Sequence, residues 1–151
     1  MKKHICALAA LTSIFAATTA QAGVTEKQCL PVGGVALGQF YNGGSDVVAP
    51  MLGTFAAARG SVKGQKETAT GLLLEMEHAF STGDGGVVST RDVAELTKIP
   101  GKKDTYLLEL AYTVNESYGR LKGYSGTFNS RGSINLATGE ALVRYSGQIC
   151  K

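Results

Sequence analysis

From Tyr106 to Val114 the chain alternates. Tyr106, Leu108, Leu110, Tyr112 and Val114 fall on one face, and Leu107, Glu109, Ala111 and Thr113 on the other. A repeat of two predicts a half-buried strand. Gly71 to Ser81 repeats the pattern, with Leu72, Leu74, Met76, His78 and Phe80 opposite Leu73, Glu75, Glu77, Ala79 and Ser81; Thr82 to Gly86 then forms a turn. Near the end, Ile134 and Leu136 alternate with Ser133 and Asn135, and Ala137-Thr138-Gly139 makes a hairpin loop. Ala141, Val143, Tyr145 and Ile149 share the face that follows, and Leu142 breaks its pattern.

Earlier segments are less regular. Gly33 to Tyr41 reads as a first strand, and Asn42-Gly43-Gly44 as a turn. Val47 to Leu52, interrupted by Pro50, reads as loop or edge, and Thr54 to Lys63 as a strand. Ser89-Thr90-Arg91-Asp92 has capping-box character, so Arg91 to Lys98 is either a short helix or another strand; periodicity does not decide. Ile99 to Asp104 is a polar turn. GTFAAARGSV (53–62) and GTFNSRGSI (126–134) echo one another; duplication would give two similar hairpins, whereas chance reuse of turn residues would not.

At least six short strands with glycine turns predict an all-β fold. A small antiparallel β-barrel with at most one short helix is preferred over the alternative, a β-sandwich, because the turns are local and closure removes exposed edges.

Composition changes the picture chiefly at the N-terminus. Lys2 and Lys3 precede an apolar run, Ile5 to Ala17, and Ala20-Gln21-Ala22 offers small residues to a signal peptidase. Residues 1–22 therefore read as a secretory signal, and 23–151 as one domain exported to the periplasm or the exterior. The run is short of the 20 or so residues a membrane span needs, and no later stretch is more apolar. The net charge of +3 falls by two, to +1, once Lys2 and Lys3 leave. No basic stripe remains, which excludes nucleic-acid binding. Cys6 lies in the signal, so Cys29 and Cys150 are left as one possible disulfide in an oxidising compartment.

The stretch from Tyr112 to Cys150, with its Gly119-Arg120-Leu121-Lys122-Gly123 turn, Gly126-Thr127 strand and strands joined at Ala137-Thr138-Gly139, resembles the C-terminal region of small exported bacterial β-proteins of unknown function. More faintly it resembles the barrel shared by allene oxide cyclases and dirigent proteins. The resemblance implies a barrel and matches no catalytic residue.

Candidate chemistry is sparse. After signal removal His78 is the one histidine, so the three or four nitrogen or sulfur ligands of a zinc site are missing; no metal, cofactor or catalytic set is assigned. Gly123-Tyr124-Ser125-Gly126 lacks the spacing of a nucleophile elbow. Glu75 and Glu77 read as an exposed acidic face rather than a carboxylate pair, and the turns at 42–46 and 83–86 as turns rather than calcium loops. His78 falls on an apolar face, where it is expected to bond a tyrosine or a backbone carbonyl, or to orient a ligand. The candidate ligand-binding residues are His78, Tyr106 and Tyr112. The expected function is binding, either of a small apolar ligand in the interior or of a protein partner on the surface. The alternatives are a cofactor-free barrel enzyme of the cyclase or isomerase type and a structural envelope component. A cavity with His78, Tyr106 or Tyr112 exposed to it favours ligand binding or catalysis; a filled interior favours the surface roles.

Overall fold

A computed structural model describes residues 27–151; the expected signal, residues 1–22, lies outside them. Eight strands follow one another: β1 (Cys29–Tyr41), β2 (Asp46–Gly53), β3 (Ala57–Glu67), β4 (Gly71–Ser81), β5 (Val87–Lys98), β6 (Thr105–Tyr118), β7 (Ser125–Asn135) and β8 (Glu140–Cys150). Each pairs antiparallel with its neighbour, and β8 returns to β1, so the sheet closes into an up-and-down barrel. The barrel expected from the sequence is the fold.

Arg91 to Lys98 belongs to β5, a strand, not a helix. Thr90 and Asp92 cap nothing; they point inward with Val88, Ala94 and Leu96. Val47 to Leu52 is neither loop nor edge, because β2 is paired on both sides in the closed sheet. Pro50 is tolerated at the end of the β2–β3 ladder, opposite Ala57, where a missing N–H interrupts little. The two Gly-Thr-Phe echoes sit differently: Gly53-Thr54-Phe55 turns the corner out of β2, whereas Gly126-Thr127-Phe128 lies inside β7. They are not equivalent hairpins, yet Phe55 and Phe128 meet in the core with ring centroids 5.7 Å apart.

The alternation of β4 and β6 holds throughout. Leu74, Met76, Phe80, Leu108, Leu110, Tyr112 and Val114 are buried, with Leu72, His78 and Tyr106 partly so on the same inward face. Leu142, which broke the pattern of β8, points out and is 52% exposed. The outer wall carries charges at mid-strand, among them the pairs Lys63–Glu77 at 3.3 Å and Arg131–Glu109 at 3.2 Å. An apolar inside and a charged outside are the reverse of a barrel that faces lipid. Among the described residues no helix is long and apolar enough to cross a membrane.

Cys29 and Cys150 are register partners where β8 meets β1, and they form a disulfide. The bond ties the seam at which the first strand closes on the last.

The two ends of the barrel differ. At one end Phe55 is fully buried against Phe80, Phe128 and Tyr145, with ring centroids 5.1 to 5.8 Å apart. Val32, Val88, Leu121 and Ile149 complete this plug. Burying Phe55 alone contributes about 1.5–3 kcal/mol. The Tyr145 hydroxyl accepts from Phe55 N at 3.1 Å and donates to Leu52 O at 3.3 Å, which fastens the β2–β3 corner. The phenol fits because Gly34 has no side chain: a Cβ there would stand 2.6 Å from the Tyr145 oxygen. The other end, ringed by the loops at 42–45, 68–70, 99–104 and 136–139, has no such plug.

Candidate functional site

Residue size decides where the interior is hollow. β4, β5 and β6 send Leu74, Met76, Phe80, Leu96, Leu108 and Leu110 inward. The facing wall, from β1, β2, β3 and β8, offers Ala36, Gly38, Ala49, Ala58 and Ala141. Small side chains opposite large ones leave a cavity of about 50 Å³ on the barrel axis. At the unplugged end lies an open depression of about 470 Å³, lined by Phe40, Val62, Leu72, Leu74, Leu96, Ile134 and Leu136 together with the 137–139 loop. The depression and the cavity share Phe40, Leu74, Leu96 and Ile134 as walls, so the two spaces are neighbours.

Two side chains with polar ring atoms interrupt this apolar lining. His78 and Tyr112 face the cavity. The His78 side chain is 8% exposed and that of Asp92 is 0% exposed. His78 Nδ1 donates to Asp92 Oδ2 at 2.5 Å. The expected partner, a tyrosine or a backbone carbonyl, is thus replaced by a buried carboxylate from the next strand. The ring stacks on Phe80 and meets Tyr112 edge-on, each at 5.6 Å between centroids. It lies across Gly60, its partner on β3; a Cβ at that position would stand 2.5 Å from His78 Nε2.

Tyr112 and Ser130 share a hydrogen bond of 2.9 Å. Burial pushes the Tyr112 phenol well above its ordinary range; the Ser130 bond opposes this, and the nearby Asp92 charge adds to it. Among the described residues, nothing hydrogen-bonds to Asp92 Oδ1 or to Thr90 Oγ1, although both atoms are fully buried. The register sets Asp92 between Met76 and Tyr112, which line the cavity, and Thr90 beside His78.

His78 and Tyr112 therefore come together, and Tyr106 does not join them. It is inward and partly buried, but six residues along β6 from Tyr112, about 20 Å in an extended strand. It lines neither the cavity nor the depression. Asp92, Thr90 and Ser130 are the members of this polar layer that the sequence reading missed. For Thr90 and Asp92 the signal was the period-two run Val88, Thr90, Asp92, Ala94, Leu96, legible only once β5 is known to be a strand.

The other polar candidates turn outward. Glu75 and Glu77 are exposed on the outer wall, and Glu77 pairs with Lys63. Asp84 bonds Thr82 and Arg120, and the Thr82 bond, then the Arg120 charge, hold its carboxyl below the usual range. Asp46 accepts from Asn42 and Ser45. Chemically, the inner layer offers a histidine oriented by a carboxylate, a free carboxylate oxygen and a free hydroxyl. Such groups can hold and orient a ligand's polar end or carry a proton.

Comparisons with protein-family models, curated proteins and solved structures found no match to this chain.

Proposed function

We propose that this barrel binds a small apolar molecule, which enters at the unplugged end and reaches toward His78 and Tyr112. The observation that carries the reading is that the depression at the unplugged end lies against the axial cavity, with Phe40, Leu74, Leu96 and Ile134 common to both linings. The axial cavity is lined mainly by aliphatic and aromatic side chains, with His78 and Tyr112 among them, and an apolar lining with a few polar groups is the usual form of a small-molecule site. The charged outer wall keeps the barrel in water while the interior supplies an apolar phase for the ligand. The export signal at residues 1–22 sets this activity in the periplasm or outside the cell.

The test is uptake of a neutral apolar fluorophore, N-phenyl-1-naphthylamine, by the purified mature protein. The expected result is saturable binding with a blue-shifted emission. Leu72→Asp with Leu136→Asp puts two charges in the entrance and is expected to weaken uptake at least about ten-fold, because burying an uncompensated carboxylate against an apolar ligand is costly. Absence of uptake by the parent protein, or uptake indifferent to the double substitution, would refute the reading.

A further inference from the structure

The outer wall is not charged all round. Leu37, Val48, Leu52 and Leu142 are large apolar side chains left in solvent, at 57%, 43%, 77% and 52% exposure. They lie on β1, β2 and β8, three neighbouring strands of the closed sheet. Leu37 and Leu142 are register partners across the β1–β8 seam. Leu52 stands opposite Val35, and Pro50, exposed between Val48 and Leu52, continues the face. Apolar side chains exposed singly are ordinary, whereas a contiguous apolar face with a polar rim marks an interaction surface.

The charges around this face select its partner. Glu140, Leu142 and Arg144 point outward in turn along β8, with Leu142 midway between two charges about 13 Å apart. Among the described residues neither Glu140 nor Arg144 forms an ion pair. Arg144 stands opposite Arg131, whose own guanidinium is taken by Glu109 at 3.2 Å. Like charges that face each other across a ladder repel, so Arg144 has a cation beside it and no carboxylate. A two-fold axis lying across the strands, over the Leu37–Leu142 row, would bring a second barrel onto the face with its strands reversed. Leu142 then meets Leu142 of the second copy, and Glu140 of each copy meets Arg144 of the other. On β2, Val48 meets Leu52 of the second copy about Pro50, apolar against apolar. Isologous contacts need such a patch, in which residue i meets j and j meets i. The other modes of docking fit less well. The closed sheet has no free edge to accept a strand from another protein. Along β8 each guanidinium is matched by a carboxylate, so the face has no cationic excess to hold an anionic lipid surface.

We propose that the β8–β1–β2 face is the contact between two copies of this chain, packed face to face with each β8 antiparallel to the other. The contact is separate from ligand binding, because Leu37, Leu52 and Leu142 point away from the axial cavity. A few side chains on three strands cover less than the roughly 800 Å² per partner of a standard interface, so the dimer is weak and reversible. Its exposed ion pairs set orientation more than affinity.

The experiment is sedimentation equilibrium of the purified mature protein, from about 1 to 500 µM in low salt. The expected result is a monomer–dimer equilibrium with a Kd of about 10–100 µM, the weak end for an interface of this size. Leu142→Asp sets two carboxylates against each other on the axis and should abolish the dimer, as should Leu37→Asp. Arg144→Glu or Glu140→Arg places like charges at both outer contacts and should weaken the dimer about ten-fold. The exchange of the two charges, Glu140→Arg with Arg144→Glu, restores opposite charges across the two-fold axis and should return Kd to within about three-fold of the parent. All four positions are exposed, so each variant is expected to keep the parent's Tm within a few degrees. A parent protein that is monomeric at about 500 µM, or a dimer indifferent to Leu142→Asp and Leu37→Asp, would overturn the proposal. An exchanged variant no tighter than the single reversals would overturn the two-fold arrangement.

Discussion

Replacing His78 with leucine tests the buried layer most directly. Taken from its apolar neighbours in sequence, a structural His78 would tolerate leucine or lose only a little stability. The structure reverses that expectation. His78→Leu removes the N–H that Asp92 Oδ2 accepts, and Oδ1 has no protein donor to compensate. The Asp92 side chain is 0% exposed, so the substitution strands a carboxylate where water does not reach it. Breaking one side of a buried pair costs about 3–5 kcal/mol. At about 3–5 °C per kcal/mol for a domain of this size, Tm should fall by about 10–20 °C. Removing both groups is a different perturbation: His78→Leu with Asp92→Leu leaves no stranded charge and should return to within about 1–2 kcal/mol of the parent. Urea and thermal melts of the two single variants and the double complete a cycle that isolates the coupling. A loss below about 1 kcal/mol for His78→Leu, or a double variant as unstable as the two single losses added together, would refute the argument that the pair holds this layer.

Four further outcomes follow from other parts of the barrel. Cys150→Ser opens a bridge across a sequence separation of 121 residues, which chain entropy values at roughly 4–5 kcal/mol; an unchanged Tm would mean that the β1–β8 ladder alone holds the seam. Gly60→Ala sets a methyl group against the His78 ring and should cost about 1–3 kcal/mol by overpacking, checked by urea melts. Above pH 10 the unfolded chain releases the Tyr112 proton while the folded chain keeps it, so stability should fall as pH rises, by up to about 1.4 kcal/mol per unit; Tyr112→Phe should flatten that part of the curve. Intact mass of the exported protein should place its first residue at Gly23, and a retained Met1 would remove the export argument.

Much of the fold was legible because strand alternation is a local property. β4 and β6 show their inward faces in the sequence because Leu, Met, Phe and Tyr recur at every second position there. Cys29–Cys150 was legible by elimination, since one pairing remains once Cys6 is set aside. Two of the five members of the polar layer were legible too: His78 and Tyr112 stand on those same faces. The rest was not, because polar residues on an inward face erase the contrast that alternation relies on. Thr90 and Asp92 made β5 look like the start of a helix. Only the ladders to β4 and β6 fix that segment as a strand, and only the adjacent His78 gives Asp92 a reason to face inward.

The position of the cavity was also beyond local reading. Ala36, Gly38, Ala49, Ala58 and Ala141 are unremarkable along the chain, and they make a hollow because closure sets them opposite Leu74, Met76, Leu108 and Leu110. Tyr106 shows the same limit from the other side: its face was right, and its distance from His78 followed from a register that sequence does not carry. Sequence by itself determined which side of each regular strand is apolar, since that needs only neighbours two residues away. Closure of the barrel decided which of those sides meet, because partners such as Gly60 and His78, or Cys29 and Cys150, are brought together by ladders whose rungs are far apart in the chain.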